Sequence, residues 1–150
     1  MKLSSKSLLA ATVGALVLSG CANHGDAPIT AKDLEGHRWQ LVKIDDQAVK
    51  PDPRNSTPFL QFSEKMMASG NAGCNDFFGQ GELKKNNQFR IEKMSMTMKM
   101  CIGDVMDSEF SVQQSLGDWN KVTLKEDVLT LKNDVHTLEF KEVEIGRAHV

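Results

Sequence analysis

The sequence predicts an antiparallel, β-rich domain, curled or barrel-like, with one helix packed on it. Three observations carry the prediction. Apolar residues recur at period two in many short runs, as in Val122/Leu124, Leu129/Leu131 and Leu138/Phe140. Polar or glycine-bearing turns separate those runs at short intervals. Only one stretch, residues 104–116, changes to helical spacing.

The elements follow in order. Arg38–Ile44 reads as a first strand, and Asp45-Asp46 marks a turn before a short piece at Gln47–Val49. Pro51–Pro58 holds three prolines and reads as a loop. Phe59–Phe62 and Met66–Ser69, split by Ser63-Glu64-Lys65, have a hairpin pattern. Gly70–Gly81 contains four glycines, a place for bulges, tight turns and close backbone approach. Gly81–Leu83 and Gln88–Ile91 flank the turn Lys84–Asn87, and Met94–Met100 alternates as a strand. Asp104–Leu116 is predicted as a helix with Met106, Phe110, Gln113 and Leu116 on one face. Asp104 is its N-cap, Asp107 and Glu109 load the early turns with negative charge, and Gly117 ends it. The three alternating pairs that follow, separated by Lys125–Asp127 and Lys132–Asp134, read as a meander. The count comes to about eight strands and one helix, with no internal repeat.

The 150 residues are 40% hydrophobic and 25% charged, with net charge −2. Such a composition suits one domain and excludes collagen-like, disordered and disulfide-dense classes. The lack of a basic excess argues against a nucleic-acid partner. No coiled-coil pattern is present, so a monomer is expected.

The amino end reads as an address. Lys2 and Lys6 precede Leu8–Leu18, an uncharged, mostly apolar run of 11 residues. A bilayer-spanning helix needs about 20 such residues, so the run fits the h-region of a secretory leader. Leu18-Ser19-Gly20-Cys21 resembles the lipobox of bacterial lipoproteins, in which the cysteine is acylated and becomes the first mature residue. The alternative is an ordinary leader with a chance cysteine at the cut. Two or more acyl chains anchor stably where one is marginal. Ala22, in place of an inner-membrane Asp signal, points to the outer membrane with the domain facing the periplasm. The chain thus divides into a leader (1–20), a lipid-anchored tether (21–32), a folded domain (33–143) and a non-native tail (144–150). The tail Glu144–Val150 breaks the strand pattern and resembles a translated read-through. Removal of residues 1–20 takes away two lysines and leaves 16 basic against 20 acidic residues, net −4.

Two cysteines then remain, Cys74 and Cys101. In an oxidising compartment an even pair reads as a disulfide, and the alternative is two reduced, buried thiols. Closing that loop is worth about 3–4 kcal/mol in the chain-entropy picture.

Catalytic motifs are scarce. His24, His37 and His136 stand in no metal-binding spacing, and there is no nucleophile elbow or phosphate-binding glycine loop. Asp76 reads as a turn cap, and Cys74 as a nucleophile would need a free thiol and a histidine. A non-enzymatic protein without a cofactor is expected. The most unusual pattern is Met94, Met96, Met98 and Met100, which on a strand would share one face. Such a row fills an irregular core surface. Its rival roles are soft ligation of Cu(I) and reaction with oxidants.

Asp33–Val143 resembles the META domain of the HslJ-like, heat-inducible lipoproteins. The resemblance rests on Trp39-Gln40-Leu41, on Phe62–Gly79 with its Gly73-Cys74-Asn75 core, and on Met96–Cys101 as a T-x-M-x-C pattern before a helix. Lys99 departs from it, standing where the family carries methionine. The resemblance implies an α+β, mainly antiparallel fold and an envelope-stress lipoprotein of a family linked to novobiocin resistance. It implies no settled activity. Gly73, Cys74, Asn75, Thr97 and Cys101 read as a structural set. Asn75 is expected to tolerate a left-handed turn and to bond within it, and Thr97 to reach a neighbouring strand. The expected partners are the membrane, through Cys21, and an envelope protein or a small apolar ligand.

Overall fold

Burial at period two runs through most strands of the structure, a computed structural model that describes residues 27–145. Among the described residues the elements are helix α1 (Ala31–Leu34), β1 (Arg38–Ile44), β2 (Gln47–Ala48), β3 (Phe59–Phe62), β4 (Met67–Asn71), β5 (Asp76–Lys84) and β6 (Gln88–Met96). Helix α2 (Val105–Gly117), β7 (Asn120–Lys125), β8 (Val128–Lys132) and β9 (Thr137–Val143) follow, and one 3-10 turn, Glu64–Met66, joins β3 to β4.

Antiparallel pairings run in the order β1-β3-β4-β5-β6-β7-β8-β9, and β9 returns to β1. The sheet is therefore a curled ring, and closure removes its main edges. The short β2 rides on the far end of β1. Inward residues of every wall meet in one core. Trp39, Leu41, Leu60, Phe62, Phe89, Ile91, Leu129, Leu131, Leu138 and Phe140 are all buried there. The Phe62 and Phe89 rings pack edge to face at 5.4 Å. One close approach needs glycine: a Cβ on Gly70 would lie 2.0 Å from the Phe59 carbonyl oxygen across the β3–β4 pair.

The ring is thinnest between β6 and β7, which pair only through Gln88↔Lys121 and Phe89↔Asn120. Helix α2 packs against β6 there and buries Val112 and Leu116. Its buried face differs from the predicted one: Glu109, Val112, Ser115 and Leu116 are inside, while Phe110 is 65% exposed. Apolar spacing alone misphased the helix because two polar residues belong to the inner face. Ser115 is held by Asn120 and Glu109 by the β4–β5 turn. Asp104 occupies the N-cap position, but its side chain caps nothing, and the helix runs through Gly117 to a C-cap at Asp118.

The amino-terminal stretch adds a detail, and one further expectation is corrected. The stretch read as tether through residue 32 is docked in its described part. Asn87 grips it with both side-chain arms, the Ile29 N–H donating to Oδ1 at 2.8 Å and Nδ2 donating to the Ala27 carbonyl at 3.1 Å. Helix α1 follows at once, with the Asp33 carboxylate accepting from the Thr30 N–H and hydroxyl. The Met94–Met100 strand stops at Met96: the Thr97 N–H still donates to the Asp76 carbonyl of β5, but at Lys99 the Asn75 side-chain amide, not a neighbouring strand, takes the backbone bonds.

The molecule has two poles. Strand β5 spans nine residues, about 30 Å from one end to the other. The β5–β6 turn, with Asn87 and the incoming chain, lies at the N-terminal pole. The β4–β5 turn lies at the other, with the segment from Thr97 to Asp104.

Candidate functional site

The second pole carries the candidate site. Its floor is the Asn71–Asp76 turn. The Ala72 N–H donates to the Asn75 carbonyl at 2.9 Å, and the Gly73 N–H donates to Asn71 Oδ1 at 2.7 Å. Asn71 Nδ2 also donates to Asp76 Oδ1 at 2.7 Å, so Asp76 braces the turn. Gly73 is the residue with positive φ, +121°, and Val105 Cγ2 lies 2.8 Å from where its Cβ would be. Here the expectation for Asn75 is corrected. It is not left-handed and does not bond within its own turn with its side chain, since Gly73 and Asn71 supply those two functions.

Asn75 instead reaches outward, and its amide is fully used. Oδ1 accepts from Thr97 Oγ1 at 2.8 Å and from the Lys99 N–H at 2.6 Å. Nδ2 donates to the Lys99 carbonyl at 3.0 Å and to Glu109 Oε1 at 2.7 Å. Glu109, only 6% exposed, also accepts from the N–H groups of Asn75 (2.6 Å) and Cys74 (3.2 Å). Thr97 closes the circuit by accepting from the Asp76 N–H at 3.1 Å. Cys74 and Cys101 are disulfide-bonded across two of these segments, the turn and the stretch after β6, with 5.9 Å between their Cα atoms.

The five residues singled out from sequence, Gly73, Cys74, Asn75, Thr97 and Cys101, are thus brought together. Glu109 is the member that the sequence assigned another role, as negative charge in the early turns of the helix. Its only signal was a carboxylate on α2, five positions past the N-cap. The departure at Lys99 touches nothing in this circuit. Asn75 bonds the main chain at position 99, so a methionine-to-lysine change leaves both bonds available.

The alternation continues outside the strand. Thr97, Lys99 through its backbone, and Cys101 turn towards Asn75 and Cys74. Met98, Met100 and Ile102 turn to solvent, 95%, 89% and 83% exposed. Met94 and Met96 are half-buried against the core. The four sulfurs therefore do not form one row: two fill core surface and two stand on an exposed edge. Among the described residues, no group of three or more His, Cys, Asp or Glu side chains could hold a metal ion. No described helix is long and apolar enough to cross a membrane.

A surface cleft of about 840 Å³ adjoins this edge. The Val49–Pro58 loop forms one wall, Gly103, Asp104, Val105 and Ser108 the other, and Gly73 part of the base. Arg54 grips Asp52 through Nε and Nη2, both at 3.1 Å, and holds that carboxyl down at about 2. Beside the cleft, Asp45 accepts from the Thr137 N–H and from His136 Nδ1, both at 2.7 Å, and these bonds lower its pKa. His136 Nε2 faces Gln114 Oε1 at 3.3 Å, which ties the β8–β9 turn to α2. His37 pairs with Glu142 at the other pole. Cys21, His24 and residues 146–150 lie outside the described residues.

Comparison with known proteins gives four likenesses. The family model of the META domain matches residues 32–145. Heat shock protein HslJ of Escherichia coli (strain K12) is 30% identical over 127 residues, covering 84% of this chain and 88% of that protein. A solved NMR structure, 31% identical, superposes with TM-score 0.66 over 75% of this chain and 94% of its own. A second, from Burkholderia xenovorans, is 22% identical with TM-score 0.61, covers 75% of this chain and 85% of its own, and shares the fold.

Proposed function

Because the chain belongs to the META domain family, we propose that it is a heat-stress-related envelope lipoprotein that acts by binding and not by catalysis. Its leader and Cys21 would anchor it in the outer membrane, with the domain in the periplasm. Its disulfide pole would dock a protein partner. The observation that carries the reading is the exposed edge Met98, Met100 and Ile102, held in place by Asn75 and the disulfide. Large apolar side chains displayed on a rigid backbone suit insertion into an apolar groove, since little conformational entropy is lost on docking. The barrel interior is filled by side chains, so a small apolar ligand would have to use the cleft. The family's association with novobiocin resistance is carried to this chain within the same reading.

A photo-crosslinking residue at position 100, irradiated in heat-stressed cells, tests the partner. The expected result is a discrete adduct that is absent when the probe stands at Lys43, on another face. No adduct at position 100, or the same adducts from both positions, would overturn the docking edge. The anchor has its own test, because Cys21→Ala should release the protein from the membrane fraction. Unchanged fractionation would overturn it. Catalysis would show as turnover in a broad hydrolase screen that is lost in His136→Ala or Asp76→Ala.

A further inference from the structure

The N-terminal pole carries a surface that the docking edge does not use. The β5–β6 turn presents Lys84 and Lys85, both exposed. Lys84 Nζ lies 3.7 Å from the centroid of Trp119, and Arg90 Cζ lies 4.6 Å from the same ring. Lys125 lines a small pocket with Ala27, Pro28 and Ile29. Of the nearby carboxylates, Glu82 is paired with Arg90 at 2.6 Å and Asp127 with Lys141 at 3.5 Å, while Asp33 and Asp118 accept from neutral groups, Thr30 and the Trp119 N–H, and keep their charge. Glu126 stands in the turn after Lys125. A chain whose mature part is net negative thus presents three exposed lysines, Lys84, Lys85 and Lys125, where its amino-terminal segment joins the barrel.

The length of that segment decides what these lysines face. Five residues lie between Cys21 and Ala27, and the six steps reach about 20 Å when fully extended. The Ala27 carbonyl is held by Asn87, two positions from Lys85. If Cys21 carries lipid, the bilayer lies within that reach of the β5–β6 turn.

We propose that this pole is a membrane-facing surface in which Lys84, stacked on Trp119, its neighbour Lys85, and Lys125, beside the incoming chain, engage the phosphate groups of anionic phospholipids. The proposal rests on the lipid-anchor reading for its geometry. It adds an orientation: the basic pole sits on the headgroups, and the disulfide pole is held about a β5 length, roughly 30 Å, further out. Each lysine close to an anionic surface strengthens binding about fivefold, and the effect fades over a Debye length.

The test uses the full mature chain carrying Cys21→Ser, so that no acyl chain contributes. Its sedimentation is measured with vesicles of phosphatidylglycerol and phosphatidylcholine, and with vesicles of phosphatidylcholine alone. Binding to the anionic vesicles only is expected, weakening as salt rises. Lys84→Gln/Lys85→Gln should lower the partition coefficient about 25-fold, and Lys43→Gln on another face should leave it unchanged. Circular dichroism of the double variant checks that it is folded. Equal partition into both vesicles, or a folded double variant that binds as well as wild type, would overturn the proposal. Because the protein is unlipidated, this failure is separable from that of the anchor, which is read from Cys21→Ala in cells.

Discussion

At the scale of single residues, Asn75 concentrates the most consequence in the fewest atoms. One amide joins the β4–β5 turn, the backbone at Lys99 and helix α2 through Glu109. Asn75→Ala removes four bonds and leaves a buried carboxylate short of a donor. The expected cost is about 2–4 kcal/mol, read as a lower denaturant midpoint at constant slope. Asn75→Asp should cost at least as much at neutral pH, since it sets a second carboxylate against Glu109. An unchanged midpoint in both variants would contradict the circuit. Trp39 gives the opposite case. Its Nε1 is buried with no hydrogen-bond partner among the described residues, a standing penalty within the core. Trp39→Phe relieves that penalty while losing area, so it should cost no more than about 1–2 kcal/mol, whereas Trp39→Ala should cost about 3–5 kcal/mol.

At the scale of elements, the disulfide ties the β4–β5 turn to the segment before α2 across 27 residues. Replacing both cysteines with alanine should lower the melting temperature by roughly 10 °C. Alkylation of the denatured, unreduced protein should add no mass, and two adducts would mean free thiols. What was legible in the sequence divides along the same line. Strands β1 and β7 to β9 could be read because each has one wet and one dry face, which period two records directly. Cys74, Asn75, Thr97 and Cys101 could be singled out by the family's motif spacing. Helix α2 was placed but misphased, because its inner face uses Glu109 and Ser115, which apolar periodicity counts as outward. The end of β6 was overrun for a related reason. Met98 and Met100 keep a strand's alternation, but an asparagine side chain stands where a neighbouring strand would be. The closing β1–β9 pair was also beyond reach, since nothing local marks which distant strands will meet.

At the scale of the whole molecule, acid sensitivity follows from three carboxylates held below their ordinary range. Asp33 is lowered by the Thr30 N–H and hydroxyl, Asp45 by Thr137 and His136, and Asp52 to about 2 by Arg54. A lowered folded-state pKa contributes stability above the unfolded value and loses it as pH falls through the folded one. Thermal stability should therefore hold above about pH 5 and decline below about pH 4. These groups lie at the surface, so the decline should be gradual and blunted by salt. Asp45→Asn should flatten it. A melting temperature independent of pH from 6 to 3 would contradict this account.

The pairing of β1 with β9 carries a consequence in time. The ring needs its last strand before its first strand is sealed on both sides, since Arg38 pairs with Val143 across nearly the whole domain. A chain threaded amino end first through a narrow export channel cannot complete this fold while its carboxyl end is still inside. On the proposed secretory route, its topology would therefore delay folding until passage is nearly over. A version shortened before Thr137 would leave β1 and β8 with bare edges and should be degraded or aggregate instead of persisting as a smaller domain.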